Sequence, residues 1–118
     1  MSETPSILTQ LMAVIEERRA TRPEKSYTTR LFEGGLPKIG EKIVEEAAEV
    51  VEAAGEPGAD GRAHTIHEAA DLVYHLLVLL GYREIKLAEV ESELARRFGI
   101  SGLDEKASRE APPPPSSP

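Results

Sequence analysis

The run Leu72-Val73-Tyr74-His75-Leu76-Leu77-Val78-Leu79-Leu80 constrains this chain more than any other stretch. Traced upstream through Ile66 and Ala69, it carries apolar residues over most of the circumference of a helix. A helix of that kind needs apolar neighbours on several sides. It belongs at the centre of a bundle, or under a second subunit. The run is far too short to span a bilayer as a helix. His75 interrupts it, and a hydrogen-bonded core histidine is the plainest reading of that position.

The remaining chain supplies helical neighbours. Thr4-Pro5 predicts a helix start, with Thr4 as cap and Pro5 in the first turn. Ile7, Leu8, Leu11, Met12, Val14 and Ile15 follow, and the helix is expected to reach about Arg19 before Pro23. Residues 26–32 predict a short helix capped by Ser26 and ended by Gly34-Gly35. A long pattern then begins near Pro37, with Ile39, Ile43, Ala47, Val50 and Ala54 three or four apart, and Gly55 stops it. Residues 55–64 read as an exposed connection. Thr65 is expected to cap the central helix, with Glu68 at capping-box spacing, and Gly81 to end it. A last helix is expected over roughly 85–97, with Leu87, Val90, Leu94 and Phe98 on its inner side and Gly99 as its stop. No β-alternating run and no internal repeat is present. The fold class is all-α, a helical bundle of about four main helices.

Composition removes several function classes. At 118 residues the chain is one domain. It has no cysteine, which excludes disulfides and cysteine-based metal or nucleophile sites. A net charge of −7, with no tryptophan and few other aromatics, argues against a nucleic-acid partner. The sequence shows no secretory signal pattern, so a cytoplasmic location is expected. Residues 110–118, Glu110-Ala111-Pro112-Pro113-Pro114-Pro115-Ser116-Ser117-Pro118, read as a disordered tail beyond a domain of residues 1–109.

The chemistry lies in the acidic residues. Glu45, Glu46 and Glu49 fall on the long second pattern at spacings that bring side chains together on a helix surface. Glu68 and Asp71 repeat the three-residue spacing at the start of the apolar run. The connection between the two helices is short, so they should be antiparallel neighbours. Glu46, Glu49, Glu68 and Asp71 could then converge. Carboxylates gathered beside apolar surface either bind protons or share a cation. An all-oxygen set suits Mg²⁺, with Mn²⁺ possible. Spacing alone also admits a surface reading, in which Lys42 pairs with Glu45 or Glu46 and Glu68 is only a cap. His64, His67 and His75 form no His-x-x-x-His pair. Arg30, Lys38 and Lys42 precede the acidic residues, and Arg96, Arg97, Lys106 and Arg109 follow them. A divalent ion with several basic groups is what a polyphosphate ester requires. There is no P-loop.

Glu45-Glu46-x-x-Glu49 followed by Glu68-x-x-Asp71 resembles the signature of the all-α nucleotide pyrophosphohydrolases of the MazG-like superfamily. The wider text narrows the likeness. Ser26-Tyr27-Thr28, the stretches over residues 31–39 and 42–50, the segment from Glu68 to Leu80, and Ser101 to Arg109 resemble the phosphoribosyl-ATP pyrophosphohydrolase family. The likeness runs over about residues 7–109, and its Tyr-His helix and closing segment are its most specific parts.

That resemblance implies an all-α homodimer with its active site near the interface. It also implies Mg²⁺-dependent cleavage of phosphoribosyl-ATP to the AMP compound and pyrophosphate, the second step of histidine biosynthesis. The monofunctional form is expected, with no fused cyclohydrolase. Carried over by position, Glu46, Glu49, Glu68 and Asp71 are the metal ligands. Glu45 or Glu49 orients the attacking water, so both are catalytic candidates. Lys42, Arg97, Lys106 and Arg109 are the phosphate contacts. Two other readings share parts of the pattern. One is a house-cleaning nucleoside triphosphate pyrophosphohydrolase, the other a noncatalytic helical dimer.

Overall fold

The computed structural model describes residues 4–99, which fall in two compact units, residues 4–85 and 86–99. Every element among the described residues is helical: α1 (Ile7–Thr21), α2 (Tyr27–Ala54), α3 (Gly58–Tyr82) and α4 (Leu87–Phe98). The all-α expectation is met. The expected segment 101–109 and tail 110–118 lie outside the described residues.

Local chemistry sets the ends. Ser6, not Thr4, caps α1: its hydroxyl accepts from the Thr9 N–H at 3.2 Å. Thr4 lies too far upstream to reach the first free amides. At the other end Arg22 turns left-handed at φ 47° and its N–H bonds back to the Arg18 carbonyl, just before Pro23. Ser26 caps α2 as expected, accepting from Thr29 N–H at 3.2 Å.

α2 is two helical segments, and the backbone breaks between them at Gly35 (φ 70°, ψ −166°). That region of the dihedral map is open to glycine almost alone. Pro37 follows in the first turn of the second segment, where a missing N–H costs nothing.

The central helix starts seven residues before its expected cap. Pro57 is its N-cap residue, and Thr65 sits inside it with its hydroxyl bonded to the Gly61 carbonyl at 2.7 Å. The turn chemistry of residues 55–61 therefore belongs to a tight α2–α3 corner and the first turn of α3. Gly81 does not stop α3 either. It is buried, and a Cβ there would lie 3.2 Å from Ile15 and 3.4 Å from Phe32. Its role is to let α1 and the start of α2 approach the central helix.

The core of residues 4–85 is Met12 and Ile15 of α1, Leu31, Phe32, Ile39 and Ala53 of α2, and Leu77 and Val78 of α3. The packing of α2 against α3 is the most extensive. The short corner makes the second segment of α2 antiparallel to α3, as expected. In the other unit, α4 begins where the Glu89 carboxylate accepts from the Lys86 N–H at 2.9 Å, and ends at left-handed Gly99. None of its residues is buried.

Candidate active site

The second segment of α2 and the N-terminal half of α3 bring the predicted carboxylates onto one helix pair. Glu46 and Glu68 are buried, at 9% and 6% exposure. Glu49 and Asp71 are half-buried, and Glu45 is exposed at the rim, 4.0 Å from Lys42 Nζ. Glu46 neighbours Asp71 and Glu49, Glu49 neighbours Glu68 and Asp71, and their electrostatics show crowding. Glu49 sits against Glu68, and a hydrogen bond between the two carboxyls, then partial burial, then the neighbouring charges raise its pKa above the usual range. The Glu46 pKa is also raised, chiefly by burial and against the opposing influence of His75. Asp71 and Glu49 add to it.

His67 is a member of this cluster that spacing did not single out. Its Nε2 lies 3.4 Å from Asp71 Oδ2 and 3.9 Å from Glu68 Oε1. His67, Glu68 and Asp71 place ligand atoms within 4.8 Å of one another. Its sequence signal is the four-residue spacing of His67 and Asp71 on one helix face, a histidine–carboxylate pair rather than a pair of histidines.

His75 is buried at 4% exposure, as a core histidine should be, but its neighbours are the site itself. Nε2 is 2.9 Å from the Tyr27 hydroxyl. Nδ1 bonds the Asp71 carbonyl one turn back at 2.9 Å. Glu46 Oε1 lies against that same nitrogen and has no hydrogen bond of its own. A carbonyl only accepts, so Nδ1 carries the proton, and Nε2 accepts from Tyr27. Burial raises the Tyr27 pKa and keeps the hydroxyl a donor. Tyr74 completes the group. Its ring meets His75 edge-on at 4.9 Å, and its hydroxyl bonds Thr28.

The basic candidates divide. Lys42 is at the rim of the carboxylates. Arg97 lies on α4 in the other unit, where its Nε binds Glu93 at 2.9 Å beside Arg96. Lys106 and Arg109 lie outside the described residues. No described helix is long and apolar enough to cross a membrane.

The family model for phosphoribosyl-ATP pyrophosphohydrolase matches residues 8–98. A phosphoribosyl-ATP pyrophosphatase of Rhodopirellula baltica is 56% identical over 94% of this chain and 92% of its own length. Proteins of the same name from Geobacter sulfurreducens and Paramagnetospirillum magneticum are 49% and 48% identical, each over 92% of this chain. They cover 98% and 97% of those proteins.

Proposed function

The chain belongs to the phosphoribosyl-ATP pyrophosphohydrolase family, and from that premise we propose that it hydrolyses the α–β phosphoanhydride of 1-(5-phospho-β-D-ribosyl)-ATP. The products are the AMP compound and pyrophosphate, in the second step of histidine biosynthesis. The observation that carries this reading is the convergence of Glu46, Glu49, Glu68 and Asp71 on one helix pair, two of them buried. Two of the four take on raised proton affinity, a crowding that a bound cation would relieve.

The donor set fits a hard divalent cation. Glu46 and Glu68 are buried carboxylates on facing helices, and Glu49 and Glu68 crowd each other. Glu46, Glu49, Glu68 and Asp71 would hold Mg²⁺, or Mn²⁺ in its place. When bound, the ion would neutralise negative charge on the phosphate oxygens. The chain's own residues do the rest. Glu45 or Glu49 orients a water toward the α-phosphorus and accepts its proton as pyrophosphate leaves. Lys42, Arg97, Lys106 and Arg109 bind the phosphates and hold the linkage in line.

The catalytic domain is residues 1–109, with residues 110–118 as a tail that takes no part in turnover. The protein works in the cytoplasm as a homodimer, on a small nucleotide, without nucleic acid or membrane. Val44 and Val51 on α2, and Ile66 and Val73 on α3, support the dimer. Each pair is spaced two turns apart on its helix, and Val44, Val51 and Ile66 are 71%, 74% and 59% exposed. Paired apolar stripes of that kind suit a second copy.

The test is incubation with phosphoribosyl-ATP, with and without Mg²⁺, measuring pyrophosphate, with dUTP and ATP in parallel. Mg²⁺-dependent release from phosphoribosyl-ATP alone is expected. Release chiefly from dUTP or ATP would move the protein to the house-cleaning enzymes. No release by folded protein would leave the noncatalytic dimer.

A further inference from the structure

Three pieces of chain that are far apart in sequence meet at one imidazole. Tyr27 comes from the segment of α2 before Gly35, Glu46 from the segment after it, and His75 from α3. Nineteen residues of unbroken helix would separate Tyr27 from Glu46 by roughly 28 Å. Both reach the same ring because the backbone bends at Gly35. The bend thus assembles a specific group: a hydroxyl, an imidazole of fixed tautomer, and a buried carboxylate.

We propose that Tyr27 and His75 form a positioning pair for Glu46, acting on the cation site through that carboxylate. This rests on the reading of Glu46 as a metal ligand. The Tyr27 hydroxyl donates to Nε2 and the Asp71 carbonyl receives the Nδ1 proton, so the ring has neither tautomeric nor rotational freedom. Glu46 Oε1 rests against Nδ1, which anchors one end of the carboxylate to the ring. The same ring ties down the backbone of Asp71, a second ligand. One imidazole therefore sets the position of a ligand on each of the two helices. Ligands held by an outer layer of hydrogen bonds bind metal more tightly, and loss of that layer typically costs 10- to 100-fold in affinity or activity. Tyr27 and His75 are positioning residues, since neither is placed on substrate or reacting atoms.

The experiment uses Mn²⁺ alone, titrated into the full-length protein and followed by calorimetry and by the electron paramagnetic resonance of free Mn²⁺. Tyr27→Phe keeps the ring and removes only the hydroxyl. It should weaken Mn²⁺ binding about 10-fold. It should also raise the Mg²⁺ concentration needed for half-maximal turnover by a similar factor, with turnover recovering at saturating Mg²⁺. His75→Asn retains a donor near the Nδ1 position and should recover part of the affinity lost in His75→Phe. Nitrogen-15 spectra of the metal-free protein should show the Nδ1–H tautomer in the wild type and a mixture in Tyr27→Phe. If His75→Phe does not fold, Tyr27→Phe carries the test. Unchanged Mn²⁺ affinity in folded Tyr27→Phe, with wild-type binding intact, would overturn the pairing. A wild type that binds no Mn²⁺ would overturn the metal site itself, and a wild type that binds it without hydrolysing phosphoribosyl-ATP would overturn only the activity.

Discussion

At the scale of single residues, Glu46 and Glu49 make a prediction about pH. Each holds its proton more tightly in the fold than in the unfolded chain. Between the ordinary glutamate range and the raised folded values the native state binds more protons, so stability falls as pH rises through that window. The metal-free protein should therefore melt at a higher temperature just above pH 4.5 than the carboxylate pair alone allows at neutrality. Mg²⁺ should flatten that slope by taking the place of the protons. Thermal melts across pH 4.5–7.5, with and without Mg²⁺, measure both slopes, and equal slopes would remove the carboxylates as its source. Glu49→Gln relieves the crowding and takes away a ligand, so melting temperature at pH 7 should rise while pyrophosphate release falls at least 100-fold. The carboxylates were legible because the three- and four-residue spacings of a helix are local. Tyr27 and His75 were not legible as partners, since no local rule joins residues 48 apart. Their meeting depends on the angle taken at Gly35.

At the scale of elements, the same glycine decides whether α2 has one direction or two. Gly34-Gly35 was readable as a helix end and Pro37 as a helix start, so the break itself was visible in sequence. The closeness of the two segments was not. Gly35→Ala forces a side chain into φ 70°, ψ −166°, which costs about 1–3 kcal/mol. Urea unfolding should report that loss, and a Mn²⁺ titration should report weaker binding as Tyr27 leaves His75. Wild-type stability in this variant would mean that the bend does not need glycine. The opposite lesson comes from residues 55–65. Gly, Pro and Asp suggested a loop, but only residues 55–57 form the corner, and packing against α2 recruits Gly58, Asp60 and Gly61 into α3, because tertiary contacts outweigh propensities of about 1 kcal/mol per residue. In α4 the local rules suffice. Arg96 and Arg97 both grip Glu93, with two bonds and one bond respectively, from residues three and four further on. They lower its carboxyl pKa to about 2. That pairing helps the helix above the ordinary glutamate pKa and is lost as pH falls toward about 2. A carboxyl carbon-13 titration should find Glu93 with the lowest glutamate midpoint on α4. Replacing both arginines by glutamine should return it to the ordinary range, as should high salt in part.

At the scale of the whole molecule, the apolar character of α3 returns as exposed side chains. An apolar run covering most of α3 predicted more neighbours than one small chain can offer. Residues 4–85 bury Leu77 and Val78 but leave Ile66, Val73 and Leu76 at 59%, 36% and 44% exposure. Val44 and Val51 on α2 are more exposed still. A domain of this size has little surplus of burial over ordering cost, so covering these side chains is a matter of stability as well as assembly. Sequence periodicity could tell that α3 was apolar all round, but not which side another chain would cover, because one chain's pattern carries no address for its partner. Placing a charge at the centre of the stripe is the direct test. Val44→Asp combined with Ile66→Asp puts two charges per protomer where the partner would sit, and an unpaired buried charge is not tolerated. Sedimentation equilibrium should show a dimer for the wild type and for Glu49→Gln, and a monomer for the double variant, with a lower melting temperature that no longer depends on protein concentration. A double variant that sediments like the wild type would place the interface elsewhere. Loss of the dimer with full pyrophosphate release would show that the carboxylates of one protomer suffice, and loss of both would show that the partner completes the site.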